Sequence, residues 1–294
     1  MAVKNYVYAA LDFIFDKNNN LYFIEANSSP GALKEYKKLY PNVRPVKELC
    51  KLLNKKFRNM AVISRKNWNK SIVSKEFRKY FKGKVVFCPY KKNKSRMKRG
   101  DGSLISSAGR IILPDVVLRV AAGKATAQEK AGIKVINPQC VSNLTLDKLK
   151  TQKIVRKYTN IKVPNSFRIN KKSDIRKIVK GIFTQGFVIK PLKGQKSQGL
   201  FIFDSYAEIP KDFRIRKPYI LEQLIHSQDL FENEFFEIRS MAVGGKYAGS
   251  MLFVSPKRPM HLFAEWRAVK IPRNLEIQVK KATEKIVKAI DAHC

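Results

Sequence analysis

The chain has 294 residues, 44% of them hydrophobic, which is enough to bury a large core and is typical of a folded globular protein. Its 60 Lys and Arg against 23 Asp and Glu give a formal net charge of +37. This charge predicts a polyanionic partner or a phosphate-rich ligand, with a solvated basic surface as the alternative.

Two further features narrow the class of protein. No apolar run is long enough to span a bilayer, and the first residues lack the pattern of a cleavable signal. We therefore expect a cytoplasmic protein without a membrane partner. Cys50, Cys88, Cys140 and Cys294 are far apart and form no C-x-x-C pair, which argues against a zinc site or a disulfide framework.

The first predicted element is a β-hairpin, "DFIFDKNNNLYFIEANSSPG", over residues 12–31. Asp12 lies on its first strand and Glu25 and Asn27 on its second, and the three share one face if the register allows. Carboxylate and amide oxygens suit Mg²⁺, and acids inside apolar strands cost stability unless they are paired. The hairpin therefore predicts a metal site, with incidental acids on an edge hairpin as the alternative.

The elements that follow predict an α/β fold. Two helical stretches are followed by short apolar runs, typical of the buried strands of a small α/β layer, at residues 59–64, 84–90, 114–120 and 132–138. Next come a basic helix, "TLDKLKTQKIVRKY", a strand–loop–strand unit, "FVIKPLKGQKSQGLFIF", and an apolar strand, "PYILEQLI". A β-hairpin turning at Gly244 and Gly245 and a long amphipathic helix complete the pattern.

The loop from Lys190 to Gly199, "KPLKGQKSQG", brings lysines, glycines and polar side chains between two strands. Backbone N–H and ammonium groups can converge there on an anion, although a basic hairpin tip has the same composition. Lys148, at the start of the basic helix, is a second candidate cation or a solvated surface lysine.

Together these stretches resemble the ATP-grasp carboxylate–amine ligases. The hairpin at 12–31 looks like the closing metal hairpin of that family, and "INPQCVSNLTLDKLKTQKIVRKYTNIKVPNSF" looks like the entry into its nucleotide-grasping lobe. "FVIKPLKGQKSQG" resembles the phosphate loop, and "YILEQLI" with "FEIRSMAVGGKYAGSM" resembles the adenine hinge and the strand pair after it.

The order of these segments differs from that of the family, where the metal hairpin follows the helix that comes last here. The chain is therefore predicted to be a circular permutant; the rival account is two incomplete grasp domains. The resemblance implies an ATP-grasp fold with a small Rossmann-like α/β lobe before it. Residues 1–58 would be the permuted end of the core, 59–140 the α/β lobe and 141–294 the ATP-grasp lobes, with a nucleotide lid at about 146–222 and a core at 223–294 that 1–58 completes.

The resemblance also implies roles for individual residues. Asp12, Glu25 and Asn27 would hold one or two Mg²⁺ ions, or Mn²⁺. The residues implied for ATP are Lys148 and Lys190 at the phosphates, Lys193, Gln195 and Ser197 in the closing loop, Glu222, Gln223 and Leu224 at the adenine hinge, and Glu237 or Asp229 at the ribose. Arg239 and Arg267 would steady the transferred phosphate or the substrate carboxylate. Ala10 stands where some ligases have an arginine, so another basic residue would supply that charge.

The implied activity is that of an ADP-forming ligase, which activates a carboxylate as an acyl phosphate and joins it to an amine. Two alternatives stay open: a kinase of the same fold, and a non-catalytic protein that binds nucleic acid or another polyanion. Residues 61–100 contain fourteen Lys or Arg and one acid, with aromatic residues between them. This segment predicts docking of an acidic macromolecule, RNA or an acidic peptide, with a solvated basic face as the alternative.

Overall fold

The computed structural model describes residues 4–28, 32–42, 44–64, 72–93, 101–120, 126–183, 186–193, 199–215, 218–226, 234–256 and 266–294. Within these ranges the chain forms helices and strands in alternation, which confirms the predicted α/β class. None of the helices in the described part combines the length and the apolar character needed to cross a membrane.

A five-stranded antiparallel sheet forms the centre of the protein, in the order β15-β14-β13-β1-β2. Its strands are β1 (Tyr8–Phe15), β2 (Leu21–Asn27), β13 (Phe235–Val243), β14 (Lys246–Ser255) and β15 (Arg267–Val269). The hairpin β1–β2 therefore lies beside β13 in the sheet, although the two are far apart in the chain. The predicted hairpin turn is confirmed, since Gly244 and Gly245 join β13 to β14 with φ angles of 58° and 80°, which glycine adopts without strain.

A parallel sheet follows β1 and β2 along the chain, in the order β4-β3-β7-β8. Its strands are β3 (Asn59–Ser64), β4 (Lys84–Pro89), β7 (Val116–Arg119) and β8 (Lys134–Ile136). A two-stranded ribbon, β5 (Leu104–Ile105) and β6 (Ile111–Ile112), lies between β4 and β7 in the chain. The third large sheet is antiparallel, in the order β11-β10-β12-β9, and contains β9 (Ser166–Ile169), β10 (Phe187–Pro191), β11 (Phe201–Phe203) and β12 (Tyr219–Gln223).

The helices connect and cover these sheets. They are α1 (Leu33–Leu39), α2 (Arg44–Leu53), α3 (Ile72–Tyr80), α4 (Tyr90–Asn93), α5 (Thr126–Lys130), α6 (Gln139–Leu146), α7 (Lys148–Tyr158), α8 (Lys172–Ile182) and α9 (Arg273–Asp291). The helix predicted from "TLDKLKTQKIVRKY" begins later than expected. Thr145 and Leu146 end α6, and Asp147 caps α7 by accepting a hydrogen bond from the backbone N–H of Lys150 at 3.0 Å. An aspartate at this position favours the start of a new helix over continuation of the old one.

Two hydrophobic cores lie on opposite faces of the central sheet. Tyr8, Ala10 and Met241 face helices α1 and α2 and the parallel sheet on one side. Leu11 and Ile238 face α7 and α9 on the other side. Alternation along β1 therefore places Asp12 on the same face as Ala10, where the first core ends. The third sheet has a core of its own, built around Phe187 and Ile189.

The first described residues, 4–6, lie against the end of α9. The carboxylate of Asp291, the last residue of that helix, accepts hydrogen bonds from the backbone N–H groups of Lys4, Asn5 and Tyr6 at 3.0, 2.6 and 2.7 Å. One aspartate thus binds three successive amides and fixes the segment that leads into β1. The domain boundaries stay a prediction, although the three sheets draw on different stretches of the chain.

Candidate active site

A row of charged side chains crosses the three strands β13, β1 and β2. Asp12 pairs with Arg239 on one side and with Glu25 on the other, so the three side chains lie on one face of the sheet. A register shift between Asp12 and Phe13 makes this possible, because it inserts Ile24 as a bulge between Phe23 and Glu25. Phe23 can then pack in the opposite core while Glu25 faces Asp12.

Asp12 and Arg239 form a buried, bidentate ion pair. Arg239 donates from Nε to Oδ1 of Asp12 at 2.7 Å and from a terminal nitrogen to Oδ2 at 2.8 Å, while Asn27 donates to the same Oδ2 at 3.1 Å. Burial raises the pKa of Asp12 to about 6, even though Arg239 favours the ionised form. The arginine also lies over the ring of Phe253, with its guanidinium carbon 5.5 Å from the ring centroid.

Glu25 is held by lysines that come from two other elements. Lys148, the first residue of α7, places its ammonium 2.9 Å from Oε2 of Glu25. Burial alone would raise the pKa of Glu25, but the charges of Lys148 and Lys190 outweigh it and lower this pKa to about 2. Glu25 is therefore a carboxylate whose charge is fixed by two of the predicted ATP-binding lysines.

A second buried ion pair lies in the third sheet. Lys190 on β10 and Glu222 on β12 are 5% and 3% exposed, and the lysine ammonium lies 2.6 Å from Oε1 of Glu222. The other carboxylate oxygen accepts hydrogen bonds from Gln152 at 2.7 Å and from Ser166 at 3.1 Å. Because Gln152 belongs to α7, this network joins the third sheet to the helix that carries Lys148.

The structure brings most of the predicted site residues into one connected region. Asp12, Glu25 and Asn27 meet on the hairpin, with Lys148, Lys190 and Arg239 against them. Glu237 lies next to this group, since one of its oxygens is 3.9 Å from Arg239. The roles implied for these side chains stay predictions.

The remaining predicted residues do not contact this group of charges or lie outside the described residues. Arg267 lies on the edge strand β15, half exposed, and pairs with Glu234 at 2.6 Å. Lys193 is exposed. The backbone N–H groups of Gln223 and Leu224 donate to Asn165 and Gly186 at 2.8 and 3.3 Å. Gln195, Ser197 and Asp229 lie outside the described residues.

Sequence reasoning missed two residues of this region. Gln152 and Ser166 both donate hydrogen bonds to the Glu222 carboxylate. A lone glutamine on a helix and a serine at the start of a strand do not, in a single sequence, indicate such a role. The only available signal was indirect, because a buried glutamate on β12 requires several donors around it.

The sequence matches no protein-family model and no curated protein sequence. The structure is similar to that of a putative gamma-glutamylcysteine synthetase from Methylobacillus flagellatus, with a TM-score of 0.64, 11% identity, and coverage of 98% of this chain and 88% of that one. It is also similar to the VanG D-Ala:D-Ser ligase from Enterococcus faecalis, with a TM-score of 0.53, 17% identity, and coverage of 80% and 83%.

A third similar structure is the D-alanine–D-alanine ligase from Bacillus anthracis, with a TM-score of 0.54, 17% identity, and coverage of 79% of both chains. At these identities the likeness concerns the fold. The three-sheet arrangement and these neighbours agree with the fold that the sequence motifs predicted. The chain therefore has the ATP-grasp fold.

Proposed function

We propose that the protein is an ATP-dependent ligase that activates a carboxylate as an acyl phosphate and joins it to an amine. The observation that supports this most is the buried charge cluster, in which Arg239 pairs with Asp12 and Lys148 with Glu25, while Lys190, paired with Glu222, also lowers the pKa of Glu25. Neutralising ATP phosphates and a developing acyl phosphate requires fixed cations of this kind, held in place before the substrate arrives.

Magnesium fits the chemistry of the hairpin face. Asp12, Glu25 and Asn27 offer oxygen donors, which this ion prefers, and Asp12 and Glu25 lie directly opposite one another. In the described part of the chain, no group of three His, Cys, Asp or Glu side chains is placed to hold a metal by itself. The hairpin would therefore supply some of the metal ligands and the ATP phosphates would supply the others. When bound, the ion would neutralise phosphate charge.

The bond changes of the proposed reaction balance without a further reactant. A carboxylate oxygen of the first substrate attacks the γ-phosphorus of ATP, the bond to the bridging oxygen breaks, and ADP leaves. The amine then attacks the carbonyl carbon of the acyl phosphate, the carbon–oxygen bond to phosphate breaks, and the amine loses a proton. Lys148 and Lys190 would bind ATP phosphates, and Arg239 would steady the transferred group or the substrate carboxylate.

The test is ATP turnover by the wild-type protein and by Glu25→Gln, in a screen of carboxylate and amine pairs that follows ADP and phosphate. The substitution removes one charge and almost no volume, and we expect ADP formation to fall by roughly a hundredfold or more. Glu48→Gln is the matched control, because Glu48 is a surface residue paired with Lys51. A Glu25→Gln rate close to that of wild type would contradict the site assignment.

Product analysis separates the three candidate functions. A ligase gives ADP, free phosphate and a coupled product, whereas a kinase gives ADP and a phosphorylated substrate. A protein that does not bind ATP, but binds a polyanion, would support the non-catalytic function instead.

The basic segment 61–100 supports a proposal about the substrate, namely that it is carried by an acidic macromolecule such as RNA or an acidic peptide. In the described part of this segment Lys91 and Lys92 are exposed, and the guanidinium carbon of Arg78 lies 5.0 Å from the ring centroid of Phe87. The nearby cations Lys94, Arg96, Lys98 and Arg99 lie outside the described residues. Changing these four together with Lys91 and Lys92 to Gln should weaken polyanion binding at low salt; equal binding by the variant would exclude this surface.

We also propose that the chain is a circular permutant of its fold. Two observations support this: the hairpin β1–β2 completes a sheet whose other strands come last in the chain, and Lys4 is bonded to Asp291. A rearranged chain that starts at residue 59 and joins 294 to 4 through a short Gly/Ser linker should fold with the same melting temperature and ATP turnover. Failure of this chain to fold would contradict the permutation.

A further inference from the structure

A cleft of about 330 Å³ lies on the side of the central sheet opposite the charge cluster. Its walls come from the β1–β2 turn, the segment after α7 and the outer side of α9. The described residues that line it are Asn19, Asn20, Leu21, Asn160, Ile161, Lys162, Gln278, Lys281, Ala282 and Lys285. Leu21, Ile161 and Ala282 belong to the core that covers the α9 face of the sheet, whereas Asp12 and Arg239 project from the other face.

The polar lining of this cleft consists of cations and amides. Lys162, Lys281 and Lys285 are exposed, and none of the described lining residues is acidic. Lys285 donates to Oδ1 of Asn160 at 3.0 Å, which ties the α9 wall to the opposite wall. Within the described part of the chain, none of these three lysines forms an ion pair.

The carboxylates on the surrounding elements are committed to protein hydrogen bonds. On α9, Glu276 accepts from the Tyr247 hydroxyl at 2.6 Å and Glu284 from the Tyr247 backbone N–H at 3.0 Å, on the flank away from the cleft. Asp291 holds the N-terminal segment. Asp16, in the hairpin turn, accepts hydrogen bonds from Asn20 through both carboxylate oxygens, and its negative charge interacts with Lys162. One such carboxylate offsets only part of the charge of the three lysines, so the cleft keeps a net positive charge.

Two aromatic rings lie within two residues of the lining in the chain, although neither forms part of it. The ammonium of Lys162 lies 5.8 Å from the ring centroid of Tyr22. Tyr158, two residues before Asn160, is 53% exposed; the Lys157 ammonium lies 5.2 Å from its ring centroid, and the His293 ring packs against it at 4.4 Å. Exposed rings beside lysines are the means by which proteins stack unpaired bases while binding the backbone phosphates.

We propose that this cleft binds the phosphate backbone of single-stranded nucleic acid, with Lys162, Lys281 and Lys285 on the phosphates and Tyr158 as a stacking platform for a base. Charge complementarity supports an anionic partner, since the chain carries a net charge of +37 and the lining of the cleft contains three lysines and no acid. The exposed aromatic ring favours nucleic acid over an acidic peptide, which has no bases to stack. This inference is independent of the proposed ligase activity, because the cleft shares no residue with that site.

The experiment measures anisotropy of a short fluorescent oligouridylate across a KCl series, without ATP or Mg²⁺. The test variant is Lys162→Gln/Lys281→Gln/Lys285→Gln. The control variant, Lys55→Gln/Lys56→Gln/Lys211→Gln, removes the same charge from exposed lysines elsewhere. At about 0.7 counterions released per phosphate contacted, the test variant should lose about 2 from the slope of log K against log salt, and roughly tenfold or more in affinity at low salt.

The control variant should keep most of the wild-type affinity and slope. Equal losses in the two triple variants would show that net charge alone governs binding, and would overturn the assignment of the cleft. Absence of oligouridylate binding by the wild type at low salt would do the same. If oligoglutamate competes as well as an oligonucleotide of equal charge, the partner is an acidic peptide and the nucleic-acid assignment is wrong.

A second variant guards against a triple variant that does not fold. Tyr158→Ala removes an exposed ring and keeps the charge, so the protein should melt as wild type does. We expect it to lower the affinity for the oligonucleotide roughly fivefold or more and to leave the salt slope unchanged, because stacking releases no counterions. An unchanged affinity would contradict the stacking role.

Discussion

Breaking the ion pair between Lys190 and Glu222 should destabilise the third sheet strongly. In Lys190→Met the carboxylate of Glu222 stays buried, with only the neutral donors Gln152 and Ser166 beside it. A carboxylate that loses its cation while 3% exposed retains its desolvation cost and loses the attraction that offset it. Methionine keeps most of the lysine stem's volume, so the effect reports the charge.

The expected magnitude follows from the burial of both partners. Removing one member of a buried pair costs about 3–5 kcal/mol in the free energy of unfolding. For a protein of this size, each kcal/mol lowers the melting temperature by about 2–4 °C, so Lys190→Met should melt roughly 6–20 °C below wild type. The double variant Lys190→Met/Glu222→Gln removes both charges and should recover about half or more of the loss, because the amide oxygen of the introduced glutamine can still accept from Gln152 and Ser166.

The assay combines thermal unfolding of the two single variants and the double variant with hydrogen exchange of the amides in β10 and β12. Exchange locates the loss in the third sheet, where the two strands pair directly from Phe187 to Pro191. A Lys190→Met variant that melts with the wild type would refute the reasoning. So would a double variant whose loss equals the sum of the single losses, because the two charges would then act independently.

Four further substitutions test other parts of the structure. Gly181→Ala on α8 has no heavy atom within 4 Å of the new Cβ and should raise the free energy of unfolding by about 0.5–1 kcal/mol. Gly83→Ala would place its Cβ 2.0 Å from the backbone oxygen of Arg58 and should lower the melting temperature. A stabilising Gly83→Ala with a destabilising Gly181→Ala would contradict the packing. Asp291→Ala removes the acceptor of three amides and should cost about 1–2 kcal/mol in urea unfolding, with faster exchange at residues 4–6. Arg239→Lys cannot form both contacts to Asp12 and should cost about 1–3 kcal/mol, while unchanged stability would show that the bidentate geometry is unimportant.

Much of the fold was predictable because its signals are local. Periodicity and turn residues identify the strands of the parallel sheet and the hairpin at Gly244, and the ATP-grasp motifs are contiguous stretches of sequence. The break between α6 and α7 was missed because Asp147 acts as a cap, and a single aspartate within a helical pattern is also compatible with a solvated helix position.

The geometry of the candidate site depends on features that alternation alone does not reveal. Phe23 and Glu25 are two residues apart and would share a face in a regular strand, yet the bulge at Ile24 sends them to opposite faces. The sequence could therefore propose that Glu25 faces Asp12 but could not establish the register. The pairing of Lys190 with Glu222 was equally hidden, because both were interpreted as ligands of ATP and neither as a partner of the other.

The position of a strand in the sheet, and not its position in the chain, determines the candidate site. Asp12 is 227 residues from Arg239 in sequence, yet the two are direct neighbours across β1 and β13. The entropy of closing a loop rises only slowly with its length, so supplying the hairpin from a distant part of the chain costs the folded sheet little. The order of folding is affected more: β1 and β2 can form a hairpin early, but the row Arg239–Asp12–Glu25 is complete only when β13 has been added from the far end of the chain. The acids that this hairpin buries in the folded protein, Asp12 above all, must therefore stay exposed to water until their cationic partners pair with them.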